Sequence, residues 1–499
     1  YSGGTVTTYG HSATYDDAGN IYSAGRVFGA GFPATVGAYD LTFAGSVDLG
    51  ISQYNPTGTN LQYCTYIGGT SDEYAHSMFV HNNELYIYGS AASTDYPTTG
   101  GAYDASHNGL YDIIVTHLNS TGSALVGSTY VGGTQNDGYN AINTHYGDTF
   151  RGEIIVDGSG NALVASFSSS TDFPATSSAY DQTNAGGQDG VVIKLSPNMG
   201  SLIWATYLGG AGQDGAFGVR INSAGLVYVC GASGSSGNDF PVTVGTYQTT
   251  FQGGPYDCFL LQLDAAGSTL GASTLFGTSG LDEAFFMDID FDDDVYIYGE
   301  ARGAAPVTPG VYSVPGSAML VAKFNPALTT LMMCTVIGDG TTTSTIAPSA
   351  FMVDVCKNIY LAGFGAFAGW PVTANAIYST SAIGSCYLAT LSPGATTLLF
   401  GSFYGGNHVD GGTSRFDPSG IIYHAVCQGG PGFPTTPGAW NNGASAPGWD
   451  VCVFKIDFEQ MGVQAAAAPS PNASGCAPFL VNFTNNSTGV QYIWNFGDG

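Results

Sequence analysis

Basic residues are scarce in this chain. Nine lysines and arginines stand against 37 aspartates and glutamates in 499 residues, and charged side chains are only 9% of the total. So acidic a balance argues against nucleic acid or an anionic membrane as the main partner, because both demand cationic surface. No run of 18 apolar residues is present, so no membrane insertion by a helix is expected. Helical periodicity is missing, and so are G-x-S-x-G, a phosphate loop, H-x-x-x-H and a G-x-G-x-x-G in strand–helix context. These absences remove the usual marks of a nucleophile, a nucleotide site or a zinc centre. The chain opens at Tyr1 without Met or a basic–apolar leader, so any export signal is expected to have been removed or omitted.

What is abundant is glycine, 74 of 499 residues, together with 13% aromatics. That combination reads as many short strands joined by glycine turns. One phrase recurs seven times: FPATVGAY (32–39), YPTTGGAY (96–103), FPATSSAY (173–180), FPVTVGTY (240–247), APVTPGVY (305–312), WPVTANAIY (370–378) and FPTTPGAW (433–440). Its prolines are 64, 77, 67, 65, 65 and 63 residues apart, the signature of a repeat architecture. Proline cannot donate to a ladder, so each phrase ends a strand. The threonine hydroxyl is suited to bonding nearby backbone, and the aromatics to anchoring the loop. The structural residues of the phrase are therefore Pro33, Thr35 and Tyr39; Pro97, Thr99 and Tyr103; Pro174, Thr176 and Tyr180; Pro241, Thr243 and Tyr247; and Pro434, Thr436 and Trp440.

Each repeat resolves into four apolar runs, clearest in LQYCTYIGG (61–69), EYAHSMFVHNN (73–83), ELYIYGS (84–90) and DIIVTHL (112–118). Grouped in that order they predict one four-stranded antiparallel sheet per repeat. Parity places the long, glycine- and aromatic-rich loops at one end of every sheet and tight hairpins such as DGSGN (157–161) at the other. A partner site is expected on the long-loop face. Seven small sheets protect their edges best by radial closure. The fold class is therefore all-β, a seven-bladed β-propeller, with closure by MGVQAAAA (461–468) or by Tyr1–Gly4.

Repeat three runs 42 residues from its first glycine to its proline, against 29 to 33 in the others. The excess lies around YNAINTHYGDTFRGE (139–153), making Tyr139, His145, Tyr146 and Arg151 the candidate contact residues. An acidic residue follows the glycine pair in five repeats: Glu73, Asp137, Asp214, Asp282 and Asp410. Gathered round a central opening they would suit calcium, which takes several oxygen ligands; alternatively each bonds its own turn. Asp288, Asp290, Asp292 and Asp294 alternate in DIDFDDD (288–294), which reads as an acidic hairpin. Cys230 with Cys258, and Cys427 with Cys452, flank the phrase in repeats four and seven, so two disulfides and an oxidising compartment are expected. Lys194, Lys323 and Lys455 share one repeat position, an outward polar slot.

YLGG…D, D-x-x-G-N, FP-x-T-x-G-A-Y and D-x-V-x-K-L resemble the seven-bladed propeller repeat of bacterial surface proteins (SBBP-type), over residues 1 to about 463. Residues 472–499, ending in WNFGDG, resemble the first part of a PKD-type immunoglobulin-like β-sandwich. The expected domains are a propeller over 1–464, an Ala/Pro linker over 465–471 and the partial PKD-like unit. The resemblance implies a secreted or cell-surface protein of Bacteroidota-like bacteria, an adhesin, gliding-associated or fibre-type protein exported by type IX secretion. Its partner would be a protein or glycan, beside further PKD-like domains of the same chain. The expectation is of no enzyme and no cofactor beyond possible calcium. The alternatives are a glycan hydrolase or lyase on the same scaffold, or an inert spacer.

Overall fold

The computed structural model describes residues 1–457, apart from breaks at 146, 344–345, 366–368, 382–385, 407–408, 411, 430–431 and 444–447, and two short strands at 467–469 and 483–485. Seven antiparallel sheets form a seven-bladed β-propeller. Blade one is Thr8–Tyr15, Ile21–Val27, Asp48–Tyr54 and Leu61–Ile67; blade two is Glu73–His81, Glu84–Ala91, Asp112–Leu118 and Leu125–Val131. Blade three is Glu153–Val156, Ala162–Ser168, Asp189–Leu195 and Leu202–Leu208; blade four is Asp214–Ile221, Val227–Ser233, Asp257–Leu263 and Leu270–Phe276. Blade five is Asp282–Ile289, Val295–Ala301, Met319–Phe324 and Leu331–Ile337; blade six is Ala347–Val353, Ile359–Phe364, Cys386–Leu391 and Leu398–Tyr404. Blade seven has an interrupted inner strand (Val409–Asp410 and Arg415–Phe416), then Ile421–Gly429 and Trp449–Asp457.

This grouping corrects the sequence reading by one strand. The run ending in the glycine pair is not the first strand of its own repeat but the outermost strand of the blade before, as when Leu61–Ile67 pairs with Asp48–Tyr54. The glycine pair is then the crossover to the next blade. Closure follows from the same shift. Ser2 donates its amide to Val451 O (2.9 Å), and the Tyr1 hydroxyl accepts the Phe433 amide (3.2 Å). Tyr66, Tyr130 and Tyr207 hold the amides of Phe32, Tyr96 and Phe173 in the same way in blades one to three. Tyr1–Ser2 is thus the end of the fourth strand of blade seven, and it ties the ring shut. Of the other candidate segment, 461–466 lies outside the described residues; Ala467 and Ala468 pair with Asn485 and Thr484.

The core is not one mass but seven layers, one between each pair of neighbouring blades. Successive side chains of a strand point to opposite faces. In blade two Ile114 and Leu118 therefore join the layer toward blade one, while Ile113 and Val115 join the layer toward blade three. Every blade is buried on both faces, which is why apolar residues run along both sides of its strands.

The recurring phrase closes the outer edge. Thr176 donates its amide to Ala205 O (3.0 Å), and its Oγ1 accepts the Ala205 amide (3.3 Å). The same two-point clamp joins Thr35 to Cys64, Thr99 to Ser128, Thr243 to Ser273, Thr308 to Cys334 and Thr373 to Gly401. Each threonine thus covers backbone groups that an edge strand would otherwise leave open to another chain. The closing aromatic then staples its blade to the next. Tyr39, Tyr103, Tyr180, Tyr247, Tyr312 and Trp440 donate their amides to the carbonyls of Gly122, Met199, Gly267, Leu328, Ala395 and Gly58 in the outer hairpin of the following blade.

Those six acceptors all have φ between 53° and 66°, in the left-handed region. Three are not glycine, and the side chain each carries matches the residue facing it on the previous blade. A Cβ at Gly122 or Gly267 would run into Tyr63 or Trp204. Where the outer strand carries Gly127 or Ala272 instead, the hairpin carries Met199 or Leu328, both fully buried. Large meets small at these four joints.

The cysteines correct an expectation. Cys230 lies opposite Leu260, and Cys258 opposite Ala232. That two-residue offset sets the residues about 7–8 Å apart on the diagonal, and even the somewhat shorter Cβ separation exceeds the ~4 Å a disulfide spans. Cys427 lies opposite Val451 and Cys452 opposite Val426, so this pair faces opposite sides of the sheet. Neither disulfide forms; burial pushes both thiols of the first pair upward instead.

Gly122→Met is expected to cost about 2–4 kcal/mol, from overpacking against Tyr63 and a strained left-handed residue. Combining it with Tyr63→Gly copies the Gly127/Met199 joint and should recover at least half of that loss in urea denaturation. Additive losses in the double variant would refute the size-matching of the joint.

Candidate functional site

Seven inner strands converge on an axis, and what fills that axis is the insertion of repeat three. It does not stand out as a contact surface on the long-loop face, as expected, but turns inward. The Phe150 carbonyl accepts from His11 Nε2 of blade one (3.2 Å), and the Arg151 carbonyl from His76 Nδ1 of blade two (3.1 Å). Ile142 packs in one cluster with Phe217 of blade four and Phe285 of blade five. Thr144 Oγ1 donates to Glu283 of blade five, and Arg151 Nη1 donates to Pro348 O of blade six (2.6 Å). A segment that touches five inner strands lies on the axis. The reason is local. The inner strands carry a β-bulge at His11, His76, Phe217, Phe285 and Ser349. A bulge re-aims one side chain, here toward the insertion for the first four.

The plug is a buried polar structure. Its single 3-10 turn, Asp148–Phe150, carries Asp148, which accepts from the Thr144 amide (3.1 Å) and from Arg151 Nε (2.8 Å). Burial pushes the Asp148 carboxyl up, but Arg151 and His145 overcome it and hold it at about 2. Burial drives His76 down to about 3 and His11 well down as well, so both imidazoles are neutral and donate to the plug carbonyls. Phe150 stacks on Tyr74 (4.2 Å), with the Arg26 guanidinium 5.2 Å from its ring centroid. Of the sequence candidates, His145 and Arg151 are both in the plug, and Arg151 is buried; Tyr139 stacks on Tyr111 at its edge (4.8 Å). Tyr146 lies outside the described residues.

Beneath the plug the axis opens as a funnel of about 540 Å³. Its walls are Tyr15, Phe79, Phe286, Phe351 and Met352, and its charged groups are Glu153, Asp157, Arg220, Asp288, Asp354 and Arg415. These residues end the inner strands, so the mouth faces the short-hairpin end, opposite to the expected face. Glu153 is bound by Arg220 Nη1 (2.7 Å) and by Arg415 Nη1 (3.0 Å) from across the axis. Arg415 also donates to Met78 O (2.7 Å) and Ile154 O (2.6 Å), and Arg220 Nε reaches Asp288 (3.3 Å). Asp288 in turn accepts the Val353 amide (2.8 Å). One ion network therefore links blades two to seven. Burial raises Asp288, partly offset by Arg220; burial also lowers Arg415. Sequence reasoning missed Glu153, Arg220 and Arg415 because they occupy no repeated position, and it read Asp288 as part of the acidic hairpin rather than of an axial network. The available signal was scarcity: the chain has five arginines, and Arg26, Arg151, Arg220 and Arg415 all meet the plug or the funnel.

The acidic residues after the glycine pairs stand apart from the axis. Glu73, Asp137, Asp214 and Asp282 accept the amides of Gly69, Gly133, Gly210 and Thr278 in their own turns. Each sits at a different blade junction, where a Cβ on Gly68 or Gly132 would meet both acids of a pair, Asp48 with Glu73 and Asp112 with Asp137. The side chain of Asp410 lies outside the described residues. In the acidic hairpin, Lys323 binds Asp294 (2.6 Å) and Lys357 binds Asp290 (3.0 Å) and Asp292, so lysines occupy the space between these carboxylates. The repeated lysine slot is a clamp on this turn: Lys194 binds Asp157 (2.9 Å), and Lys455 lies over Tyr423 (4.9 Å).

No protein-family model matches the sequence, and no curated protein matches it. Solved structures similar to it in fold include an ulvan lyase of polysaccharide lyase family PL25, 10% identical over 85% of this chain and 92% of that one, TM-score 0.44. BamB from Moraxella catarrhalis is 10% identical over 83% of this chain and 92% of its own, TM-score 0.37. A europium-containing methanol dehydrogenase is 11% identical over 85% and 81%, TM-score 0.36. At these identities the likeness is one of fold. Enzymes nevertheless stand among the similar propellers, and the expectation that the chain is not an enzyme is withdrawn on that finding.

Two measurements follow. Glu153→Ala leaves Arg220 and Arg415, both mostly buried, without their shared partner, and is expected to cost about 3–5 kcal/mol in urea denaturation; a loss below 1 kcal/mol would show the network to be idle. The junction acids set the pH dependence. Burial raises Glu73, Asp112, Asp137, Asp189 and Asp257 to about 7, and Asp282 to about 6. Folded values above the unfolded ones mean stability that is full below about pH 4 from these groups and is lost as pH rises through 6–7. The melting temperature should therefore be higher at pH 5 than at pH 8, and Asp112→Asn should flatten that slope; a rise toward pH 8 would contradict the assignment.

Proposed function

We propose that the chain is an interaction module of an extracellular, cell-surface bacterial protein, and that it takes a glycan into the axial funnel. The observation that carries this reading is the funnel itself. Its volume of about 540 Å³ lies within the range of small-molecule sites and is too small for a folded domain. Aromatic walls at Tyr15, Phe79, Phe286 and Phe351 suit the apolar faces of sugar rings, and a floor of arginines and carboxylates suits their hydroxyls. The charged groups are held rigidly by one another, so a ligand meets a site already organised. The resemblance to bacterial surface repeats supports an adhesin, gliding-associated or fibre-type role, exported by type IX secretion. It also supports a domain order of propeller over 1–464, linker over 465–471 and PKD-like unit from 472.

The test is a glycan array followed by isothermal titration of the retained sugar. Binding that weakens at least tenfold in Phe79→Ala supports the funnel. An array with no retained glycan, or affinity unchanged in that variant, overturns it. Cleavage of the retained sugar would convert the binding site into a catalytic one on the same residues.

A further inference from the structure

Four of the five arginines are paired with buried carboxylates. Arg151 binds Asp148, Arg220 and Arg415 bind Glu153, and Arg302 binds Glu300. Arg26 makes no ion pair among the described residues, in a chain where 37 acids stand against 9 bases. Its Nε is buried and has no hydrogen-bond partner among the described residues. Rings stand where carboxylates stand elsewhere: the guanidinium carbon lies 5.1 Å from the ring centroid of Tyr9, 5.2 Å from that of Phe150 and 5.7 Å from that of Tyr74. A ring face attracts the positive charge but does not match the five-donor fork of a guanidinium, which fits a carboxylate. Asp72 is nearby, yet it accepts from the Tyr74 hydroxyl (3.3 Å) and makes no ion pair with Arg26.

These rings belong to a wider patch. On one side Tyr9 meets Phe28 (4.8 Å) and Trp449 (6.2 Å). On the other, Tyr74 leads to Tyr111 (6.0 Å), and Tyr111 to Tyr139 (4.8 Å). Tyr9, Tyr74 and Trp449 begin their strands, Arg26 and Phe28 end theirs, and Tyr139 and Phe150 belong to the insertion, so all of them gather at the long-loop end. None of the seven rings is fully buried, and Phe28 is 37% exposed. Partly exposed aromatics joined ring to ring around one arginine have the composition of an interface core.

We propose that this patch is a second contact site, on the face opposite the funnel and independent of the glycan reading, which docks a protein segment presenting one carboxylate flanked by apolar residues. The carboxylate takes the Arg26 guanidinium, and the rings on either side cover the apolar neighbours. Two observations favour a protein segment over an acidic glycan. Sugar sites are concave, and the axial concavity opens at the other end of the ring. A formal net charge of −28 repels a polyanion, whereas a single carboxylate on a neutral or basic segment meets the one arginine that has no acid of its own. The site draws on blades seven, one and two and on the insertion, so it exists only in the closed ring.

The test pans a display library of random peptides on the full chain and measures the affinity of the enriched peptide by fluorescence anisotropy. Enriched sequences should share an Asp, a Glu or a free C-terminal carboxylate beside an apolar residue, and replacing that carboxylate by its amide should weaken binding at least tenfold. Arg26→Gln should weaken it at least tenfold as well, and Arg26→Lys by less. Ile203→Ser, which removes a half-exposed apolar residue from the outer strand of blade three, should leave it unchanged. No enriched peptide, a consensus without a carboxylate, or affinity indifferent to Arg26→Gln overturns the site. Should Arg26→Gln fail to fold, Phe28→Ser decides: a loss of at least tenfold supports the patch, and unchanged affinity refutes it. Retention of a uronic acid glycan that Arg26→Gln abolishes, with no peptide enriched, would assign the patch to a different ligand and refute the proposal.

Discussion

Each blade is apolar on both faces and cannot be stable alone, so the structure depends on the ring being closed. Closure is achieved with backbone as much as with side chains. The amide of the closing aromatic reaches the left-handed residue of the next hairpin, and in the last joint Trp440 reaches Gly58 across the seam. Tyr1 performs at that seam the task that Tyr66, Tyr130 and Tyr207 perform elsewhere. The repeated Thr clamp serves the opposite end of the same problem. It covers the outer edge of each sheet, which ring closure leaves unprotected.

A ring of near-identical units leaves an opening on its axis, and repetition cannot fill it. The fill must come from residues that break the repeat. Here those are the extra residues of repeat three, the bulged side chains of the inner strands, and arginines at positions found once each. The result divides the axis in two: a dry, polar plug toward the long loops, and an aromatic funnel toward the hairpins with a charged network between. The plug also explains why the long-loop face, rich in aromatics and loop length, is not where the described cavity opens.

The network at the funnel floor joins groups from six blades through Glu153 and Asp288. Buried ion pairs of this kind contribute little net stability compared with apolar packing, but they are costly to break singly. Their value here is positional. Arg415 crosses the axis to blades two and three, so the funnel keeps its shape only while the ring stays round.

The sequence alone determined the class of fold, the number of blades and the edges of most strands. Prolines, glycine pairs and alternating apolar residues act over a few neighbours and repeat seven times, so each signal is read against six copies of itself. It also located the insertion by length. Tertiary structure alone decided which strand belongs to which blade, since the glycine pair reads equally as a turn within a sheet or a step between sheets. It decided that Cys230 and Cys258 are two residues out of register and that Cys427 and Cys452 face apart, because pairing offsets are set across strands far apart in sequence. It decided, finally, that the insertion turns inward. His145, Glu283 and Arg415 come from blades three, five and seven, and only the curvature of the closed ring brings such distant, unrepeated side chains to one axis.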